Sequence, residues 1–195
     1  RPNASVAEQR EIGDRLCARF EGSLPFLGVT PQTAHGIEAE YEAFLDLFAE
    51  HLRSHDYALG GRPTLADHAL MGPLYAHLYR DPASGEIMQQ RAPRVAAWVE
   101  RMNMPPATYG DLAGDDAVSA QMMEILRRQY AEFWPVIAGT LDALESWIEA
   151  HPGEAPPRGI GKQGFTVGGR AGERVIFSYT QWMWQRALDV HAALD

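Results

Sequence analysis

The run Gly60-Gly61-Arg62-Pro63-Thr64-Leu65-Ala66-Asp67 constrains this chain more than any other stretch. It leads into the apolar segment Ala69-Leu70-Met71-Gly72-Pro73-Leu74-Tyr75. The glycine pair can adopt the left-handed backbone that ends a helix at no steric cost. Thr64 then stands as an N-cap. Asp67, three residues on, can return its carboxylate to the Thr64 amide while Thr64 caps the Asp67 amide. The segment therefore predicts a helix ending at the glycines, a tight link, and a reciprocally capped start for the next helix. Losing such a cap costs about 1 kcal/mol at a surface. The cost is higher where the helix start is buried and its amides are cut off from water.

Apolar periodicity extends that pattern in both directions. Val6, Gly13, Leu16, Cys17 and Phe20 predict an amphipathic helix over 4–20. A loop with Gly22, Pro25, Gly28 and Pro31 follows, with Phe26 and Leu27 as an apolar plug. Ile37, Tyr41, Phe44, Leu45, Phe48 and Leu52 stripe a second helix, 36–57. A third, 65–79, is apolar on most sides and should kink at Pro73. A short helix covers 94–103, and Pro105-Pro106 and Gly110 to Gly114 break the chain. A long helical pattern over 117–150 should bend or divide near Pro135.

Residues 1–150 thus read as one helical-bundle domain, and residues 151–195 change character. Pro and Gly dominate 152–164, and Phe165 with Val167 and Val175 with Phe177 alternate about Gly168 to Gly172, as a β-hairpin does. Ser178-Tyr179-Thr180-Gln181 reads as a second capping box, Ser178 with Gln181, opening a last helix over 179–194. An isolated hairpin is marginal in water, so this one should lie against the bundle. The expected fold class is all-α, a helical bundle with a small hairpin-and-helix extension.

Two motifs resemble one family. Gly60 to Asp67 is similar to the start of the central buried helix in the C-terminal domain of glutathione transferases. Ala92-Pro93-Arg94-Val95-Ala96-Ala97-Trp98-Val99-Glu100-Arg101-Met102 resembles that family's later proline, tryptophan and Arg-Met pattern, in the right order and spacing. The likeness covers roughly residues 4–150, and the family pattern does not include the extension. It implies a helical domain that supplies the electrophile pocket and part of a homodimer interface. The catalytic Ser, Tyr or Cys and most of the glutathione site would lie in a thioredoxin-like domain absent from this chain. Nothing here resembles a βαβ unit, and the chain begins at Arg1 without an initiating methionine, as a fragment or processed product would. The implied cosubstrate is glutathione, and the implied partner a small electrophile in a detoxification reaction. By analogy the pocket draws on the first helix, the loop after it and the C-terminal segment. Here these are the region of Arg15, Arg19, Phe20, Phe26 and Tyr41, with Trp182 as a lid. The alternative is a non-catalytic assembly platform of the same fold, as in elongation-factor gamma subunits.

The bulk numbers narrow the classes further. The chain has 195 residues, 46% hydrophobic and 22% charged, an ordinary globular balance. Its net charge of −9, with both signs interspersed, argues against nucleic acid and anionic membrane partners. No apolar run approaches the ~20 residues of a membrane span. The single cysteine, Cys17, excludes an internal disulfide and suits a cytoplasmic setting. On the apolar stripe of the first helix it reads as a packing residue. His51 and His55 have a spacing that can hold zinc, but no third ligand is fixed, so a solvated helix end is expected and no metal. Gly159 to Gly164 lacks the glycine and hydroxyl of a phosphate loop. Asn3-Ala4-Ser5 spells a glycosylation acceptor without other signs of secretion. Trp182, Met183 and Trp184 lie on consecutive helix faces, so they cannot all enter one core. If a domain docks on the first and last helices, their outer faces should be apolar and exposed.

Overall fold

The computed structural model describes residues 4–104 and 108–194. Asn3 of the glycosylation triplet and the Pro105-Pro106 break lie outside the described residues. The helices are α1 (Val6–Glu21), α2 (Ala34–His51), α3 (Leu65–Pro73), α4 (Pro82–Arg91), α5 (Pro93–Asn103), α6 (Ala120–Ala150) and α7 (Tyr179–Ala192). Strands β1 (Gly159–Val167) and β2 (Arg170–Phe177) precede α7 and form an antiparallel pair. The chain is therefore mostly helical with one small hairpin. It resolves into two compact units, one running up to Glu38 and resuming at Ala131, the other spanning Ala39–Tyr130.

In the unit Ala39–Tyr130, the stripe of α2 supplies Leu45 and Phe48, and α5 supplies Val95, Trp98 and Val99. Met88 of α4 and Met122 and Ile125 of α6 join the buried cluster, with Tyr57, Ala58, Leu74, Ala92 and Ala96. Each such side chain contributes about 1.5–3 kcal/mol by leaving water. Phe48 meets Trp98 edge-on, ring centroids 5.0 Å apart, an arrangement the ring quadrupoles favour. Helix α4 is not signalled by periodicity, because it buries only Gly85 and Met88, with Ile87 packed partly against the core. It starts on Pro82, a residue suited to a first helical turn. Arg91 at its end forks onto both Asp46 carboxylate oxygens, each at 2.8 Å, and reaches Glu42 at 2.9 Å.

Helix α2 stops at His51 rather than at 57. Tyr57 and Gly60 then bond each other both ways, at 2.9 and 3.3 Å, and the glycine pair joins a short ladder with residues 110–113. Gly60 has φ +126°, and a Cβ there would lie 2.5 Å from the Ala113 amide nitrogen. The glycines thus serve a close backbone approach, not a helix end. The expected helix over 65–79 is α-helical only to Pro73 and widens into a π-turn over Leu74–Tyr79. A proline ring clashes with the preceding turn, and the change of helix type falls directly after it.

In the other unit, Ser5 caps α1 reciprocally with Glu8, a capping box that the periodicity reading passed over. Hydrogen bonding by Ser5 holds the Glu8 carboxyl below its ordinary value. No residue of α1 is buried; Val6, Leu16 and Phe20 are exposed, and Cys17 is exposed rather than packed. Helix α6 runs unbroken through Pro135, so the expected division there does not occur. The hairpin turns on Gly168 and Gly169, both at positive φ, between Val167 and Arg170, as a two-residue type I′ turn requires. Ser178 does not cap α7: it already has helical φ and ψ, and its hydroxyl donates to the Pro157 carbonyl. Gln181 bonds Gln185 instead.

The hairpin's inner face carries Gln163, Phe165, Val167, Arg170, Gly172, Arg174 and Ile176. It closes on the 28–36 segment where side chains are missing. A Cβ on Gly36 would sit 2.3 Å from the Val167 carbonyl oxygen, and one on Gly172 2.5 Å from Thr33 Cγ2. Gln163 donates to Thr140 Oγ1 at 3.0 Å and to the Val136 carbonyl at 3.1 Å, tying β1 to α6.

Candidate functional site

The Thr64–Asp67 motif forms a buried junction. Asp67 is fully buried. Its Oδ2 accepts the Thr64 amide and hydroxyl, each at 2.9 Å. Its Oδ1 accepts the Ala58 amide at 2.8 Å and the Trp98 indole N–H at 3.2 Å. Four donors therefore satisfy both oxygens, the condition under which a buried carboxylate is tolerated. The capping pair explains only half of it; spacing alone gives no sign of the Ala58 and Trp98 bonds. With every lone pair committed to the fold, the carboxylate is a structural group.

His51 is buried, not a solvated helix end. The Tyr57 carbonyl, 2.9 Å from Nε2, can only accept, so that nitrogen carries the proton. Nδ1 then accepts from the Ser119 hydroxyl at 2.8 Å, and Ser119 Oγ accepts the Met122 amide at the start of α6. Burial pushes the imidazole pKa below its usual value, and the stacked His55 pushes the same way, against the Tyr57 carbonyl and Asp67. A ring with both nitrogens occupied by the fold has none free for a metal. Among the described residues no group of three or more His, Cys, Asp or Glu could hold one. No described helix is long and apolar enough to cross a membrane.

The residues expected at an electrophile pocket separate into two sets. Arg15, Arg19 and Phe20 stand on the exposed face of α1, Arg15 beside Glu11 at 3.9 Å. Phe26 follows in the 3-10 turn Leu24–Leu27, 57% exposed. Trp182 on α7 is 50% exposed, with Tyr179 at 5.2 Å and the Arg186 guanidinium over its ring at 5.1 Å. Met183 is exposed beside it, while Trp184 turns inward onto Trp134, centroids 5.5 Å apart. All of these belong to one unit. Tyr41 belongs to the other, where it packs on the core and donates to the Ser84 carbonyl at 3.0 Å. Burial pushes its phenol up to about 12.

One concavity of the first unit is a cleft of about 340 Å³ between the loop after α1 and the hairpin. Pro25, Thr30 and Gln32 form one wall; Lys162 and residues 171–175 form the other. A neighbouring hollow of about 580 Å³ shares Gln32 and Ala171 and adds His35 and Arg170. Sequence reasoning assigned the loop to a pocket but passed over the hairpin wall, because strand pairing decides which residues face it.

Residues 33–106 match the family model described as glutathione S-transferase, C-terminal domain. The matched segment holds both motifs and the Asp67–Trp98 junction. No curated protein and no solved structure matched the chain.

Proposed function

We propose that this chain is the electrophile-binding and dimerising part of a cytoplasmic glutathione transferase-like protein that conjugates or reduces small electrophiles with glutathione. The observation that carries the reading is the family match over residues 33–106. In such chemistry the glutathione thiolate attacks the electrophile, so a hydrogen bond or positive dipole must lower the thiol pKa. A thioredoxin-like domain would supply that group. This chain would supply apolar surface for the electrophile: Phe20, Phe26 and Trp182 are accessible on α1, the loop after it and α7. Arg15 and Arg19 would add positive charge beside them. Residues 1–150 would form the functional domain and 151–195 an accessory extension.

An uncharged aryl chloride titrated into the chain tests this through tryptophan fluorescence. Saturable quenching is expected, weakened several-fold in Phe20→Ala and Trp182→Phe. Quenching that does not saturate, or ignores both substitutions, removes the pocket assignment. The assembly-platform reading draws on the same exposed residues, since Leu16, Phe20, Leu188 and Val190 leave apolar surface open on α1 and α7, a mark of interaction faces. The aryl chloride separates the two readings: both allow self-association in sedimentation, but a platform shows no saturable response to the aryl chloride.

A further inference from the structure

We propose that the cleft between the loop after α1 and strand β2 binds a small organic anion, its carboxylate or phosphate on Arg174 and its short apolar body against Pro25 and Val175. None of the cleft's lining residues is among those assigned to the electrophile pocket, although Pro25 adjoins Phe26 on the same loop.

The argument begins with the register of the hairpin. Arg174 pairs with Gln163 across the strands, and directly opposed residues share a face. Gln163 bonds inward to α6, so Arg174 lies on the inner face and is half-buried. Among the described residues its guanidinium makes no hydrogen bond or ion pair. Arg91 and Arg128 find carboxylates in Asp46 and Glu40, and Arg101 donates to the Asp56 carbonyl and lies over the Tyr57 ring. Arg174 loses water without that compensation, and burial alone pulls its pKa below the ordinary arginine value. A partly desolvated, unpaired guanidinium presents planar donors in a fork that matches an oxyanion.

The surroundings fit the same ligand. Lys162 and Glu173 pair with each other at 2.9 Å at the rim, so their charges largely cancel and Arg174 sets the sign of the cleft. Thr30 and Gln32 add polar groups on the facing wall, and Pro25 and Val175 add apolar ones. Local positive charge on a chain of net charge −9 is a feature that the overall composition does not explain. The volume, about 340 Å³, exceeds that of a bare oxyanion and admits a ring-sized body.

Calorimetry on the whole chain with benzoate, phenyl phosphate, inorganic phosphate and uncharged benzamide tests the site, beside the variants Arg174→Gln and Arg174→Lys. Benzoate or phenyl phosphate should bind saturably, at least tenfold more weakly to R174Q, with R174K between, and the stronger of the two tells carboxylate from phosphate. Thermal melts keep the test independent of folding. Unliganded R174Q should melt at or above the wild type, and organic anion at a concentration that just saturates the wild type should raise the wild-type melting temperature more than that of R174Q. Equal binding of benzamide and benzoate overturns the proposal. So does binding of inorganic phosphate alone, affinity unchanged in R174Q, or a large loss of melting temperature in unliganded R174Q.

Discussion

The indole N–H of Trp98 donates to Asp67 Oδ1 across 3.2 Å, so the tryptophan of one family motif is bonded to the aspartate of the other. Both side chains are fully buried. Replacing Asp67 by Asn turns one acceptor into a donor facing N–H groups. Breaking a buried charged network in this way costs about 3–5 kcal/mol. Asp67→Asn should therefore lower the urea midpoint by that equivalent. Trp98→Phe keeps most of the apolar burial, removes one of four donors, and should cost about 1–3 kcal/mol. A smaller loss for Asp67→Asn than for Trp98→Phe would show that Asp67 does not organise the junction.

His51 makes stability depend on pH in one direction. Its folded pKa lies below the unfolded reference of 6.5. The unfolded chain therefore binds more protons between the two values, and stability rises with pH there. The contribution is complete above 6.5 and declines as pH falls through 6.5 toward the folded value. Urea unfolding from pH 7.5 to 5.5 should show the decline, and His51→Gln should reduce it. His55→Gln, 4.4 Å away, removes one contribution to that shift but leaves the buried ring in place, so it should reduce the decline less than His51→Gln does.

The legible parts of this fold are those whose signal is local. Thr64 and Asp67 three residues apart, the stripe of α2, and the glycine-centred alternation of the hairpin each report on a few consecutive residues. What was not legible depends on distant partners. The Tyr57–Gly60 turn looks helical in sequence but is pulled into a ladder by residues 110–113. Helix α4 hides because it buries only two positions. Ser178 and Gln181 have capping chemistry, yet the Pro157 carbonyl claims the Ser178 hydroxyl. The same limit applied to the sites: residue types suggested a loop near Phe26, whereas the Arg174 cleft emerges only once β2 faces that loop.

Gln163 is the polar tie between β1 and α6. Its amide serves the Thr140 hydroxyl and the Val136 carbonyl, and Thr140 is itself buried. Gln163→Ala should cost about 1–2 kcal/mol in denaturant unfolding. Lys162→Ala, one residue away, removes only an exposed ion pair with Glu173 and should cost less than about 1 kcal/mol. Equal losses would place the attachment of the strand elsewhere than at Gln163.

Gly36 sets how closely the hairpin can approach α2. A Cβ at that position would stand 2.3 Å from the Val167 carbonyl oxygen and 3.0 Å from Arg170 Cγ, and the first of these is backbone that cannot rotate away. Gly36→Ala must therefore displace the turn at Gly168, whose amide donates to Glu132 at 2.8 Å. Overpacking of this kind costs about 1–3 kcal/mol. Hydrogen exchange should quicken at Phe165 through Gly172 and remain unchanged along α5. Gly13→Ala is the counterpart: nothing lies within 4 Å of its added methyl in the middle of α1. Alanine there should stabilise by up to about 1 kcal/mol through helix propensity alone. If Gly36→Ala leaves exchange in the turn as it was, the close contact between α2 and the hairpin does not hold the strands in place.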